Sequence, residues 1–248
     1  FIQKKCRTIC CKYSSKKLEF TMRWQDKGYL LSLNKYNENS AIAEFFTENN
    51  GKCSGVIFGA TSKKIKNYLL VGNKFHLNFN FKHDAKLGYF KIEIDEAKTP
   101  LYLENKIKLF CIIYAMNIVK ILTVENQENK TVFQLLSNFF ELLTYKDTWL
   151  TSFIFWELNF YKSIGYDIEF KNYVKNITID GDDKFVVEST KKIIPNFLIN
   201  NDIYVNNKTE IFNGFKIVGE FLDKSILKPN NINYPLSRTE LGNLIKST

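Results

Sequence analysis

From Asn49 to His83 the chain carries six lysines (Lys52, Lys63, Lys64, Lys66, Lys74, Lys82), both of its histidines and no acidic residue. Within that window, Lys74 to Lys82 alternates polar and apolar side chains. A strand turns successive side chains to opposite faces, so Phe75, Leu77, Phe79 and Phe81 line one face. Lys74, His76, Asn78, Asn80 and Lys82 line the other. Such a face offers ionic and hydrogen-bond contacts to a polyanion rather than bond-making chemistry. For a single strand, an ordinary half-buried strand with a soluble outer face explains the pattern equally well. The basic surroundings tip the balance toward nucleic acid. The candidate contacts are Lys35, Lys52, Lys63, Lys64, Lys66, Lys74 and His76.

No group of residues in the sequence assembles into a catalytic constellation. The histidines have no Ser or Cys nucleophile motif near them, and neither common Gly-rich phosphate loop occurs. Asp180, Asp182 and Asp183 are the tightest carboxylate group, but the segment lacks the calcium-loop pattern and, with Gly181, reads as a solvated turn. The five cysteines (Cys6, Cys10, Cys11, Cys53, Cys111) are odd in number and lack zinc-ligand spacing. Neither a disulfide framework nor a metal is expected, no cofactor is called for, and a reducing, cytoplasmic compartment fits best. Cys53 and Cys111 read as core residues. Tyr36, Tyr68 and Tyr89 could stack on bases, although packing explains each one singly.

Charge is unevenly distributed. Residues 1–21 hold six basic and one acidic side chain, residues 22–98 twelve and eight, and residues 99–248 seventeen of each. The polyanion contact is therefore expected in the first half of the chain. Residues 1–21 lack an apolar signal region and precede Met22; they read as basic sequence outside the folded domain, with a nucleic-acid-binding arm as the alternative. The apolar stretch Ile107 to Val124 contains Lys108, Asn117 and Lys120 and reads as a buried helix rather than a membrane span.

The elements that would hold these residues change type near Thr99-Pro100. Before it, strand-like runs at Gly28–Leu33, Ala41–Phe46, Ser54–Phe58, Lys74–Phe81 and Tyr89–Ile94 are separated by Asn- and Gly-containing turns. Five short strands suggest a small β-barrel of the oligonucleotide-binding kind, with an open sheet or an SH3-like barrel as rivals. After it, Leu109, Ile112, Ile113 and Met116 form one helical stripe, and Phe133, Leu136, Phe140 and Leu143 another. Further helices are expected over Trp149–Ile164, ending at Gly165, over Ile211–Leu227, ending before Pro229, and after Pro235. The segment from about 166 to 205 reads as irregular. The fold class is α+β: a barrel over 22–98, then a helical domain over 99–248.

The ordered set of local motifs resembles the bacterial recombination mediator RecO family. Asp26-Lys27-Gly28-Tyr29-Leu30-Leu31-Ser32 is similar to the family's first strand. Tyr36–Ser40, Phe46–Lys52 and Gly55–Ala60 continue the match, and Lys63-Lys64 stand where the family places its basic pair. Phe155-Trp156-Glu157-Leu158 with Ile164-Gly165-Tyr166, Gly219–Leu222, Lys228-Pro229 and Pro235–Arg238 resemble its later elements. Some members carry a cysteine zinc site in the helical domain. Here Tyr173 stands near the expected first cysteine and none follows, so zinc is not implied.

The resemblance implies a non-enzymatic DNA-repair protein with an oligonucleotide-binding barrel and a helical domain. It implies binding of single- and double-stranded DNA, strand annealing, and work with RecR to load RecA onto DNA coated by single-strand binding protein. A site for that protein's acidic tail is implied in the helical domain, and a bacterial, cytoplasmic, nucleoid-associated location with no membrane partner. An RNA-binding or RNA-processing protein with the same barrel is the alternative reading, and a protein-interaction adaptor a third.

Overall fold

The structure is a computed structural model that describes residues 21–82, 87–179, 182–187, 191–205 and 207–247. The expectations for residues 1–20 and for Asp180 fall outside these, as do the side chains of Asp182 and Asp183. Five strands, β1 (Thr21–Lys35), β2 (Ser40–Thr47), β3 (Gly51–Phe58), β4 (Lys74–Lys82) and β5 (Tyr89–Glu96), close into a barrel in the order β1-β2-β3-β5-β4. β4 pairs back onto β1, and only the β3–β5 pair is parallel. Closure leaves no free edge and excludes the open-sheet alternative.

The alternation in β4 is realised as expected. Phe75, Leu77 and Phe79 are buried inside the barrel with Leu30, Phe45, Cys53, Ile57 and Phe90. β1 starts at Thr21, seven residues before Gly28, and pairs with β4 from Thr21↔Lys82 to Tyr29↔Lys74. This extension brings Trp24 into the barrel, stacked on Phe79 with ring centroids 4.8 Å apart. The short helix α1 (Lys63–Lys66) lies between β3 and β4. Ala60, Ile65, Tyr68 and Leu69 anchor it to the barrel core.

A single turn at Thr99–Tyr102 leads to α2 (Lys106–Leu122), α3 (Lys130–Leu142) and α4 (Trp149–Ser163). Asn105 and Asn129 cap α2 and α3 by accepting the Lys108 and Val132 N–H groups at 3.1 and 3.0 Å. The chain leaves α4 through Gly165 at φ +97°, a left-handed stop that glycine adopts without strain. α2 departs from the single stripe: Cys111, Ile112, Tyr114, Ala115, Met116, Ile118 and Val119 are all buried, while Ile113 is 37% exposed. Buried positions that spread so far around α2 put it at the centre of the core, with Lys106 and Ile113 on its open side. The second stripe is buried as expected, at Phe133, Leu136, Phe140 and Leu143.

The segment expected to be irregular instead forms an antiparallel sheet, β6 (Val174–Ile179), β7 (Asp182–Val187) and β8 (Lys192–Ile194), followed by α5 (Asn196–Asn200). Val174, Phe185, Val187 and Ile194 pack on the helical core, but the consecutive polar pair Lys175-Asn176 and the consecutive apolar run Phe185-Val186-Val187 break the alternation that would mark these strands in the sequence. α6 (Lys208–Phe221) continues through a wider turn at Leu222–Leu227, and α7 (Leu236–Lys246) closes the chain against α2. No helix among the described residues is long and apolar enough to cross a membrane.

Barrel and helices share a wall. Tyr29, Leu31 and Phe46 point out of the barrel and are buried in the helical core, where Tyr29 meets Phe133 at a 5.5 Å ring separation. Gly51 sits at this seam with φ +66°, and any side chain there would strike the Gln127 carbonyl. Deep in the helical core, Glu157 of α4 accepts hydrogen bonds from Arg238 of α7 at 2.8 and 3.0 Å. It also accepts from the Tyr114 and Tyr161 hydroxyls.

Candidate nucleic-acid interface

The seven candidate residues fall into two groups in space. Lys63, Lys64 and Lys66 are exposed along α1, and Lys35 is exposed at the end of β1. These four share one end of the barrel: Lys35 pairs with Ala41, Ala41 pairs with Ile57, and the chain runs from Ile57 through Gly59 into α1. The Thr61 hydroxyl, 3.0 Å from Asn39 Oδ1, holds that connection against the β1–β2 turn. Among the described residues, no carboxylate pairs with any of the four.

The other three side chains are engaged within the protein. Lys52 donates to the Lys120 carbonyl near the end of α2 at 2.9 Å, so its ammonium fixes the seam between barrel and helices. Lys74 lies 3.0 Å from Glu96 and 3.6 Å from Asp95, beneath the rings of Tyr29 and Phe133. Burial works against the charged form of Lys74, but the Glu96 hydrogen bond and the nearby negative charges outweigh it and raise its pKa. His76 Nε2 meets Asp95 at 3.1 Å, and Lys27 approaches the same carboxylate at 3.4 Å. The window that is free of acid in the sequence is not free of acid in space, because β5 lays Glu93, Asp95 and Glu96 alongside β4. Net cationic character therefore moves away from the Lys74 end of β4.

It reappears at the other end, through residues the sequence reading did not single out. Facing residues place Arg23 beside Asn80, and Asn80 beside Tyr89; the next row is Gln25, Asn78 and Lys91. Trp24, Phe79 and Phe90 point inward, so both rows lie on the outer wall. Arg23, Gln25 and Lys91 are exposed, and among the described residues no carboxylate pairs with the two cations. Arg23-Trp24-Gln25 is itself a polar–apolar–polar alternation, the signal that would have extended β1 back to them. Of the three tyrosines, Tyr36 is exposed in the β1–β2 turn, Tyr68 packs toward the barrel core near Phe75, and Tyr89 lies half-buried on the outer wall.

Cys53 and Cys111 are buried, and burial above all pushes the Cys53 thiol up to about 12. Both stay protonated and serve as packing. Among the described residues no group of three His, Cys, Asp or Glu side chains is placed to hold a metal ion. What the arrangement can do is hold phosphate charge and present amides and an aromatic ring to bases.

Comparison with known proteins places the chain among relatives of one kind. The family model described as recombination protein O N terminal matches residues 22–95, and the one described as recombination protein O C terminal matches residues 103–201. The chain is 24% identical over 242 residues to the DNA repair protein RecO of Ehrlichia chaffeensis, covering 90% of this chain and 98% of that protein. It is 22% identical over 245 residues to the RecO of Wolbachia sp. subsp. Drosophila simulans, covering 91% of this chain and 100% of that protein. With the RecO of Rhodospirillum centenum it shares 21% identity over 234 residues, 88% of this chain and 92% of that one.

Proposed function

Because the chain belongs to the RecO family of DNA repair and recombination proteins, we propose that it is a non-enzymatic mediator that binds single- and double-stranded DNA and anneals complementary strands. With RecR it helps load RecA onto DNA coated by single-strand binding protein, whose acidic tail docks on the helical domain. A bacterial, cytoplasmic setting at the nucleoid goes with that role.

One observation carries the DNA-binding part of this reading. Six exposed barrel cations, Lys35, Lys63, Lys64 and Lys66 at one end and Arg23 and Lys91 on the wall, have no carboxylate partner among the described residues. Charge of this kind releases counterions from phosphate without regard to sequence. A surface that screens two backbones at once lowers the repulsion between strands and leaves the bases free to pair, with no nucleotide or metal consumed.

The test is annealing of complementary DNA strands by the whole protein, without nucleotide or divalent metal. Acceleration that fades as salt rises is expected. Metal-dependent cleavage or modification of RNA, with no effect on DNA annealing, would favour the RNA-processing alternative. Absence of DNA binding at low salt would favour the adaptor.

A further inference from the structure

Phe58 is 62% exposed at the end of β3, on a barrel whose other phenylalanines are at least partly buried. Its direction is fixed by the strand: Cys53 and Ile57 point into the barrel, so Ser54, Val56 and Phe58 point out. Its ring lies 5.8 Å from that of Tyr89, which the inward Phe90 forces outward on β5, and the two planes are tilted by 54° into an open V. The register then runs Tyr89, Asn80, Arg23 along one row and Lys91, Asn78, Gln25 along the next. Neither row holds a carboxylate; Glu93 stands in the third, facing His76. On the other side, Gly59 to Ser62 leads directly from Phe58 to the exposed lysines of α1, with the Glu38 carbonyl and Asn39 in the turn beside Thr61.

We propose that Phe58 and Tyr89 form a base-stacking platform that gives the interface its grip on single-stranded DNA. The inference rests on the DNA-binding reading above and deepens it. Every base presents a π-face, so a platform of exposed rings accepts any sequence, and flanking cations on both sides hold the backbone that runs across it. Asn78, Asn80 and Gln25 supply donors and acceptors to phosphates and base edges. Paired bases in a duplex keep their faces stacked on each other, so the platform contributes to unpaired strands alone. The lysines of α1 serve both forms. An outward aromatic pair could also be a protein contact, but free cations and amides in the adjoining rows complement a polyanion better than an apolar protein surface.

The experiment compares the whole protein with Phe58→Ala and Phe58→Tyr in binding to an oligothymidine, an abasic oligomer of the same length, and a duplex. Wild-type protein should prefer oligothymidine to the abasic strand. Phe58→Ala should lose roughly ten-fold on oligothymidine, with duplex and abasic binding changed less than about two-fold. Phe58→Tyr, which keeps the ring, should restore the difference. Phe58→Trp gives a second readout if the alanine variant folds poorly: its emission should be quenched by oligothymidine and not by the abasic strand. Equal losses on all three ligands, or no loss with wild-type-like DNA binding, would overturn the platform and leave the DNA-binding reading standing; the latter result would point to a protein contact. Wild-type protein that binds none of the three would overturn both.

Discussion

Arg238 and Glu157 meet through two N–H···O contacts of 2.8 and 3.0 Å, although 81 residues separate them and both side chains are buried. The guanidinium also donates to the Phe215 carbonyl at 2.9 Å and to the Tyr234 hydroxyl at 2.9 Å, and lies over the Phe215 ring. Burial opposes its charge, yet the Glu157 carboxylate overcomes that and raises its pKa well above the usual value. A carboxylate and a guanidinium so fully partnered tie α4, α6 and α7 into one packing unit.

Breaking that pair from one side leaves an uncompensated buried charge. Arg238→Ala should therefore cost about 3–5 kcal/mol of unfolding free energy. Urea denaturation monitored by circular dichroism measures it. A loss below about 1 kcal/mol, typical of an exposed pair, would contradict the buried network.

Lys52 and the Lys63-Lys64 pair should separate structure from binding. Lys63→Glu with Lys64→Glu should leave the melting curve nearly unchanged, since both side chains are exposed. It should weaken DNA binding and annealing, and lower the salt slope for single strands by roughly 0.7 per lost phosphate contact. Lys52→Met should do the reverse, removing the charged hydrogen bond to the Lys120 carbonyl at a cost of about 1 kcal/mol while DNA affinity holds. Salt titrations beside thermal melts decide, and the same profile for both variants would refute the assignment.

Acid should loosen the seam between barrel and helices. Burial alone would raise the Glu44 pKa, but hydrogen bonds from Lys120 (2.6 Å) and Ser32 outweigh it and bring it below the ordinary 4.5. A carboxyl depressed on folding stabilises fully above its unfolded value and loses that contribution as pH falls through its folded value. Stability attributable to Glu44 should thus be intact near neutrality and decline below about pH 4.5. Glu44→Gln should flatten that part of the stability–pH curve. An unchanged acid limb would show that the carboxylate contributes nothing there.

Cutting the chain after Lys98 should not give a well-behaved barrel, despite its separate core and its net positive charge. Tyr29, Leu31 and Phe46 would lose their cover, at about 2 kcal/mol for each large apolar side chain. Self-association or a lowered, broadened melt is expected in size-exclusion and denaturation measurements. A monomeric fragment with an unchanged midpoint would show that the shared wall is dispensable.

The sequence alone determined those features that local periodicity controls. Alternation in Lys74–Lys82 chose the inward face of β4, and the Phe133, Leu136, Phe140 and Leu143 spacing chose the buried face of α3. Gly165 stopped α4 for a reason confined to its own backbone. Only the tertiary structure could decide which charges remain free, because Coulomb interactions follow distance in space and not along the chain. Thus Asp95, absent from the acid-free window, reaches Lys27, Lys74 and His76 across two strand pairings, and Lys52 turns to a carbonyl 68 residues away. The same holds for the motifs Phe155–Leu158, Gly219–Leu222 and Pro235–Arg238, which look unrelated in sequence. They converge because Glu157 receives Arg238, and Gly219 lacks the Cβ that would lie 2.1 Å from its Nη1. Phe58 was legible as a strand residue, but its exposure depends on which neighbours β3 finds in the closed barrel.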